Sequence, residues 1–174
     1  LAIDCPDSYL RALADSGFTH QGEPLGPDHI NALFLTHLHG DHVNGLEMFM
    51  AHRRFFGDGP LPLHTSPDTA KDLWIGRLRA SLGVLYDGNE WIEQGQEDFL
   101  DVHIHPWERD FEIGPFTLTT RKTIHHLPAT ALRITDGDAT LGYSCDTAWD
   151  PGLIDWLSDA DLIIHESSLG PAHT

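Results

Sequence analysis

Only two cysteines, Cys5 and Cys145, occur in the 174 residues. So few exclude a disulfide framework and a cysteine-built zinc site, and they fit a reducing cytoplasm. Positive charge is also scarce, with 10 Lys and Arg against 27 Asp and Glu and a formal charge of −17. A chain so acidic repels polyanions, so non-specific nucleic-acid binding is not expected. No apolar run approaches the roughly 20 residues that span a bilayer, and the stretch 1–6 is too short and too acidic for a signal peptide. No membrane partner is expected. Internal repeats and low-complexity stretches are absent, and the 16 Gly and 11 Pro are scattered through a chain that is 40% apolar, which excludes collagen-like and disordered classes. The length suits one domain, 1–174.

Histidine is the residue in excess, 13 in all, and imidazole is the commonest side-chain metal ligand and the usual proton carrier near neutral pH. The pattern along the chain predicts where these histidines fall. Residues 1–5 form a short apolar strand, followed by a helix with Leu10, Leu13 and Ala14 on one side that Gly17 can end. Residues 30–36 are a nearly continuous apolar run of the kind buried on both faces of a sheet. A helix is predicted over 43–56, a strand over 61–65, and a second helix from the Ser66-Pro67 cap to about Gly83. Acidic residues crowd between Glu90 and Glu112 and read as solvated surface. Short strands then follow over 101–105, 116–123, 129–135 and 139–145, with a hairpin signal at Asp136-Gly137-Asp138. A helix over 151–157 and a buried strand over 161–165 close the chain. The fold class this predicts is α/β.

His37, His39, Asp41 and His42 fall within six residues at the end of a predicted buried strand, where α/β folds place their functional loops. In an extended segment His37 and His39 project the same way and can converge on one metal, while Gly40 lets the chain turn Asp41 and His42 towards another. The run 36–42, Thr-His-Leu-His-Gly-Asp-His, resembles the H-x-H-x-D-H signature of the metallo-β-lactamase-fold hydrolases. Residues 1–6 are similar to the strand that precedes that signature, and Val43-Asn-Gly-Leu46 to the segment after it in the ribonuclease Z-like branch. The segment 125–134 resembles that branch's third-histidine segment; alignment on Arg133-Ile134 selects His125, with His126 the register alternative. Tyr143–Thr147 resembles the strand end whose aspartate bridges two metals, here Asp146, although Cys145 stands where the branch usually has Gly. Its thiol is read as packing. Residues 161–166 resemble the family's late strand and His-Glu stretch, and His173-Thr174 the loop that supplies the last metal histidine.

The resemblance implies a four-layer αββα sandwich and two divalent ions, zinc first, with manganese or iron compatible with the same ligands. By the same resemblance His37, His39 and His125 bind one ion, Asp41, His42 and His173 bind the other, and Asp146 bridges them. Asp41 has a second candidate role in orienting or deprotonating the attacking water, and His165 is a candidate proton donor to the leaving group. His20, His29, His52 and His64 lie outside the matched motifs, and His103 and His105 alternate with apolar residues as a polar strand face would. The segments 128–134 and 143–147 are most similar to ribonuclease Z and its small-phosphodiester relatives, which implies a phosphodiesterase acting on a small-molecule or nucleotide substrate with a metal-bound hydroxide. A thioester, lactone or other ester hydrolase is the alternative; a di-iron redox protein is disfavoured because such relatives commonly carry an acid where His39 stands. Homodimers are common among such relatives, but no residue here marks an interface. The chain begins inside a strand and ends on a proposed ligand, so it is expected to be the core segment of a longer polypeptide.

Overall fold

The computed structural model describes residues 1–57 and 59–167. The chain divides into two compact units, Leu1–Pro106 and Trp107–Thr174.

The first unit is built on a parallel sheet of four strands in the order β1-β4-β5-β8. Along the chain the unit runs β1 (Ala2–Ile3), α1 (Tyr9–Asp15), the small hairpin β2 (Thr19–His20) and β3 (Glu23–Pro24), β4 (Leu33–Leu35), α2 (Gly40–Val43) and α3 (Leu46–Phe56). It continues through β5 (Leu61–Thr65), α4 (Pro67–Leu73), a π-helical turn Trp74–Leu78, α5 (Arg79–Leu82), the hairpin β6 (Val84–Tyr86) and β7 (Trp91–Glu93), and β8 (Leu100–Ile104). Leu33, Leu35, Leu61, Leu63 and Leu100 point to one face of the sheet and pack with Leu46, Phe49, Met50 and Leu73 of the helices. Burial of such side chains at ~2 kcal/mol each holds the helices on that face. The alternate residues, Phe34, His64 and His103, are paired across the strands on the opposite face.

The helix predicted from 43 to 56 is α3, which starts at Leu46; the short α2 comes before it, with Asn44 and Gly45 between the two. The break is forced by proximity: a Cβ on Gly45 would lie 2.1 Å from the Pro6 carbonyl oxygen, and the Gly45 amide donates to the Cys5 carbonyl at 2.8 Å. Only glycine lets the two segments approach so closely. The expected cap of α4 is present, with Ser66 Oγ accepting from the Thr69 amide. Two hairpins were not legible in the sequence, and part of the acidic stretch read as plain surface is β7 and β9.

The second unit is a five-stranded sheet in the order β13-β12-β11-β10-β9. Its strands are β9 (Asp110–Ile113), β10 (Phe116–Lys122), β11 (Thr130–Thr135), β12 (Thr140–Tyr143) and β13 (Leu162–Ile164), with α6 (Pro151–Leu157) between the last two. All neighbours are antiparallel except β12 and β13, as the intervening helix requires. Leu153 and Leu157 of α6 pack on Ala131 of β11, and Asp150 caps the helix through the Gly152 amide at 2.9 Å. The strand expected to be buried over 161–165 is exposed along Leu162, Ile163 and Ile164. An apolar run forecasts burial only where other elements cover it, and β13 is the edge strand of its sheet. No helix among the described residues is long and apolar enough to cross a membrane.

Candidate metal centre

In a parallel sheet all strands end on the same edge, and the loops there carry function. The loop 37–42 leaves that edge from β4. His37 comes two residues after the strand, past Thr36, and is fully buried, and His39 is the extended residue that opens α2, with its carbonyl accepting from the His42 and Val43 amides.

Asp4 organises these imidazoles. It follows β1 with φ +59, is 5% exposed, and accepts from the Thr36 amide at 2.8 Å and from Thr36 Oγ1 at 2.8 and 2.9 Å. Its second oxygen lies 2.7 Å from His42 Nδ1. Burial pushes the Asp4 carboxyl up from the usual carboxylate range, and the hydrogen bonds from His42 and Thr36 pull it back. The contacts fix two tautomers. Thr36 has one hydroxyl proton and gives it to Asp4, so at the 3.1 Å contact between Thr36 Oγ1 and His37 Nδ1 the imidazole is the donor. His42 Nδ1 likewise donates to Asp4. In both rings the proton then sits on Nδ1 and Nε2 is the unprotonated nitrogen, the arrangement in which a carboxylate or hydroxyl behind a histidine readies it for a metal.

Two donors each about 2.1 Å from one ion lie no more than about 4.2 Å apart. His37 Nε2 and His39 Nδ1 are 3.0 Å apart, and His42 Nε2 and Asp41 Oδ2 are 3.8 Å apart. The Asp41 side chain is 78% exposed and turned outward. In the second unit His125 Nε2 lies 3.7 Å from Asp146 Oδ2, and the His126 ring stands beside that of His125 at 4.4 Å between centroids. These donor sets fit a divalent ion by spacing and by chemistry. His173 lies outside the described residues.

The segment bearing Asp146 is tied down on three sides. Thr123 Oγ1 donates to the Asp146 carbonyl at 2.6 Å, the Thr147 amide donates to Glu166 Oε2 at 2.9 Å, and the Glu166 amide donates to Ser144 Oγ at 3.0 Å. Cys145 has φ +53 and is buried. That is the left-handed region where glycine is at home, which explains the glycine expected there and leaves a small packed thiol as the tolerated exception. His165 Nδ1 donates to the neighbouring Glu166 carbonyl at 2.6 Å. Asp4 and Glu166 are the positioning residues that the sequence did not assign; an acid after a two-residue strand carries no spacing that points to a histidine 38 positions away.

The sequence profile of the anti-Pycsar protein Apyc1 family matches residues 1–174. The chain belongs to that family. An anti-Pycsar protein Apyc1 from Paenibacillus sp. (strain J14) is 31% identical over 184 residues, covering 100% of this chain and 69% of that protein. The protein named "Probable metallo-hydrolase YhfI" of Bacillus subtilis (strain 168) is 30% identical over 170 residues, covering 95% of this chain and 59% of its own length. A ribonuclease Z of Limosilactobacillus fermentum is 29% identical over 129 residues, 74% of this chain and 34% of that enzyme. Among solved structures, the metallo-β-lactamase fold protein YhfI from Bacillus subtilis superposes with a TM-score of 0.67 at 25% identity, covering 92% of this chain and 56% of that one. Human tRNase Z, short form, gives 0.66 at 18% identity, covering 98% and 68%. This Apyc1-family chain has the metallo-β-lactamase fold, as its histidine signature implied. It spans 59% to 65% of the length of the first curated relatives it matches.

Proposed function

We propose that this chain carries the catalytic core of a two-metal hydrolase that cleaves small phosphodiesters, nucleotide phosphodiesters among them. The observation that carries the reading is the set of imidazoles at 37, 39 and 42, two of them oriented by Asp4 and Thr36 through Nδ1. His37, His39 and His125 would hold one ion, Asp41, His42 and His173 the other, and Asp146 both. Two such ions supply a water of lowered pKa and neutralise charge on the scissile phosphate. Zinc suits the imidazole-rich donor set, and manganese or iron would also be accepted.

The chain's own residues do the rest. Asp4 holds the His42 ring still and in the ligating tautomer, so the donor nitrogen costs no reorganisation. Asp41, exposed and beside His42, can accept the proton of an attacking water at a carboxylate oxygen. His165, whose Nδ1–H is committed to the Glu166 carbonyl, has Nε2 as the atom that would deliver a proton to the leaving oxygen. A formal charge of −17 disfavours a long polyanion and favours a substrate with one phosphodiester. The likeness to a ribonuclease Z supports phosphodiester chemistry.

The test is side-by-side turnover of bis(4-nitrophenyl) phosphate and cyclic nucleotides against thioester, lactone and aryl-ester substrates. Phosphodiester cleavage is expected. Ester cleavage with no phosphodiester turnover would make the chain an esterase of the same fold.

A further inference from the structure

Three further histidines meet away from this loop. His64 lies on β5, His103 is its register partner on β8, and His105 follows β8, with its amide donating to the Thr65 carbonyl at 2.9 Å. Strand alternation puts Asp101, His103 and His105 on the face that carries His64, opposite the helix-packed face. His64 Nδ1 is 2.9 Å from His105 Nε2, and the two rings are within 9° of parallel with centroids 5.1 Å apart. The His103 ring lies parallel to His64 within 14° at 4.6 Å, and its Nε2 is 3.0 Å from Asp101 Oδ2.

We propose that His64 Nδ1 and His105 Nε2 form the chelating pair of a further transition-metal site, for zinc, nickel or copper as the divalent ion. Donors 2.9 Å apart match neighbouring ligands at about 2.0–2.1 Å from one ion, and the spacing is close to the 3.0 Å of His37 Nε2 and His39 Nδ1. Imidazoles without thiolates suit zinc, nickel and copper and not calcium or magnesium. Both rings of the pair are neutral at pH 7. Burial, with the positive charge of His103 and His105 added, lowers His64 to about 4, and burial followed by His103 lowers His105. Loading the ion moves the shared proton to His64 Nε2 or His105 Nδ1 and needs no net proton release. The ion would join the edge strand β8 to β5.

The full chain, freed of metal with a chelator, is dialysed against Zn2+ alongside His64→Asn, His105→Asn and the doubly substituted His37→Ala/His39→Ala. Bound zinc is counted per chain. Each single variant is expected to bind one ion fewer, or to bind it about tenfold more weakly or worse, while keeping the parent's phosphodiesterase activity. The double variant is expected to lose activity and keep the His64–His105 ion. If both single variants bind as many ions as the parent with the same affinity, the pair is only an imidazole–imidazole hydrogen bond and the site does not exist. Should a single variant unfold, the doubly substituted His37→Ala/His39→Ala chain decides: Cu2+ raised to three equivalents is expected to broaden the ring resonances of His64 and His105, and resonances that stay sharp overturn the site.

Discussion

Asp4 Oδ2 and His42 Nδ1 lie 2.7 Å apart, joining residues 38 positions distant in the chain. The contact sets the ring's orientation and its tautomer together. Asp4→Asn keeps the side chain's shape but offers an amide N–H to His42 when its carbonyl serves Thr36, which favours the tautomer with the proton on Nε2. Metal affinity is expected to fall about 10- to 100-fold with the circular dichroism spectrum retained. Metal binding equal to the parent's would show that Asp4 only ties β1 to β4.

Gly45 and Gly76 make a contrasting pair. A Cβ on Gly45 meets the Pro6 carbonyl oxygen at 2.1 Å, whereas a Cβ on exposed Gly76 meets nothing nearer than 3.5 Å. Gly45→Ala is expected to destabilise by about 3 kcal/mol, and Gly76→Ala to be neutral or stabilising by up to ~1 kcal/mol. Urea unfolding of both variants checks the difference, which fails if the two midpoints shift alike.

Cys145 occupies a left-handed backbone position. Cys145→Gly relieves about 1 kcal/mol of backbone strain and loses a buried thiol of similar worth, so its stability is expected to match the parent's. Cys145→Val places a β-branched residue where φ is +53 and is expected to cost about 2 kcal/mol or more. Equal tolerance of Gly and Val, read by thermal unfolding, would contradict the strain.

His64 gives the chain an acid sensitivity. Its folded pKa of about 4 lies below the ordinary 6.5. As pH falls below 6.5 the unfolded chain takes up the proton first, so stability is lost progressively until about pH 4, below which no more is lost through this group. Half-exposed Asp101 faces it and opposes the shift, while His103 and His105 add to it, and solvent screening leaves a loss on the order of 1–2 kcal/mol. His64→Leu is expected to flatten the stability profile between pH 6.5 and 4 in metal-free buffer. A profile as steep as the parent's would mean that His64 protonates freely in the fold.

His125 and His126 are separated by function more than by position. His125 faces Asp146 at 3.7 Å, and His125→Ala is expected to lower turnover far more than His126→Ala. The reverse order, in kcat on bis(4-nitrophenyl) phosphate, would shift the third motif by one residue.

Much of this was legible in the sequence for physical reasons. A continuous apolar run such as 33–35 has no stable place but a sheet buried on both faces, and clustered ligand-type side chains at its end have few other uses. The proline and serine at 66–67 marked the α4 cap because they satisfy the backbone in one way only. The hidden part depends on distant partners. Asp4 and Glu166 acquire their roles from contacts across 38 and 19 residues. The break at Gly45 comes from the backbone of Pro6, and the exposure of β13 from its place at a sheet edge. His64 and His105 looked like an ordinary polar strand pattern because alternation assigns a face without saying which other side chains share it.

The claim of a two-metal centre is tested most directly by elemental analysis of folded parent and Asp146→Ala, purified without chelators. At least two zinc, manganese or iron ions per parent chain, and fewer in Asp146→Ala, are expected. A parent chain holding none, or a variant with the parent's full complement, would contradict it.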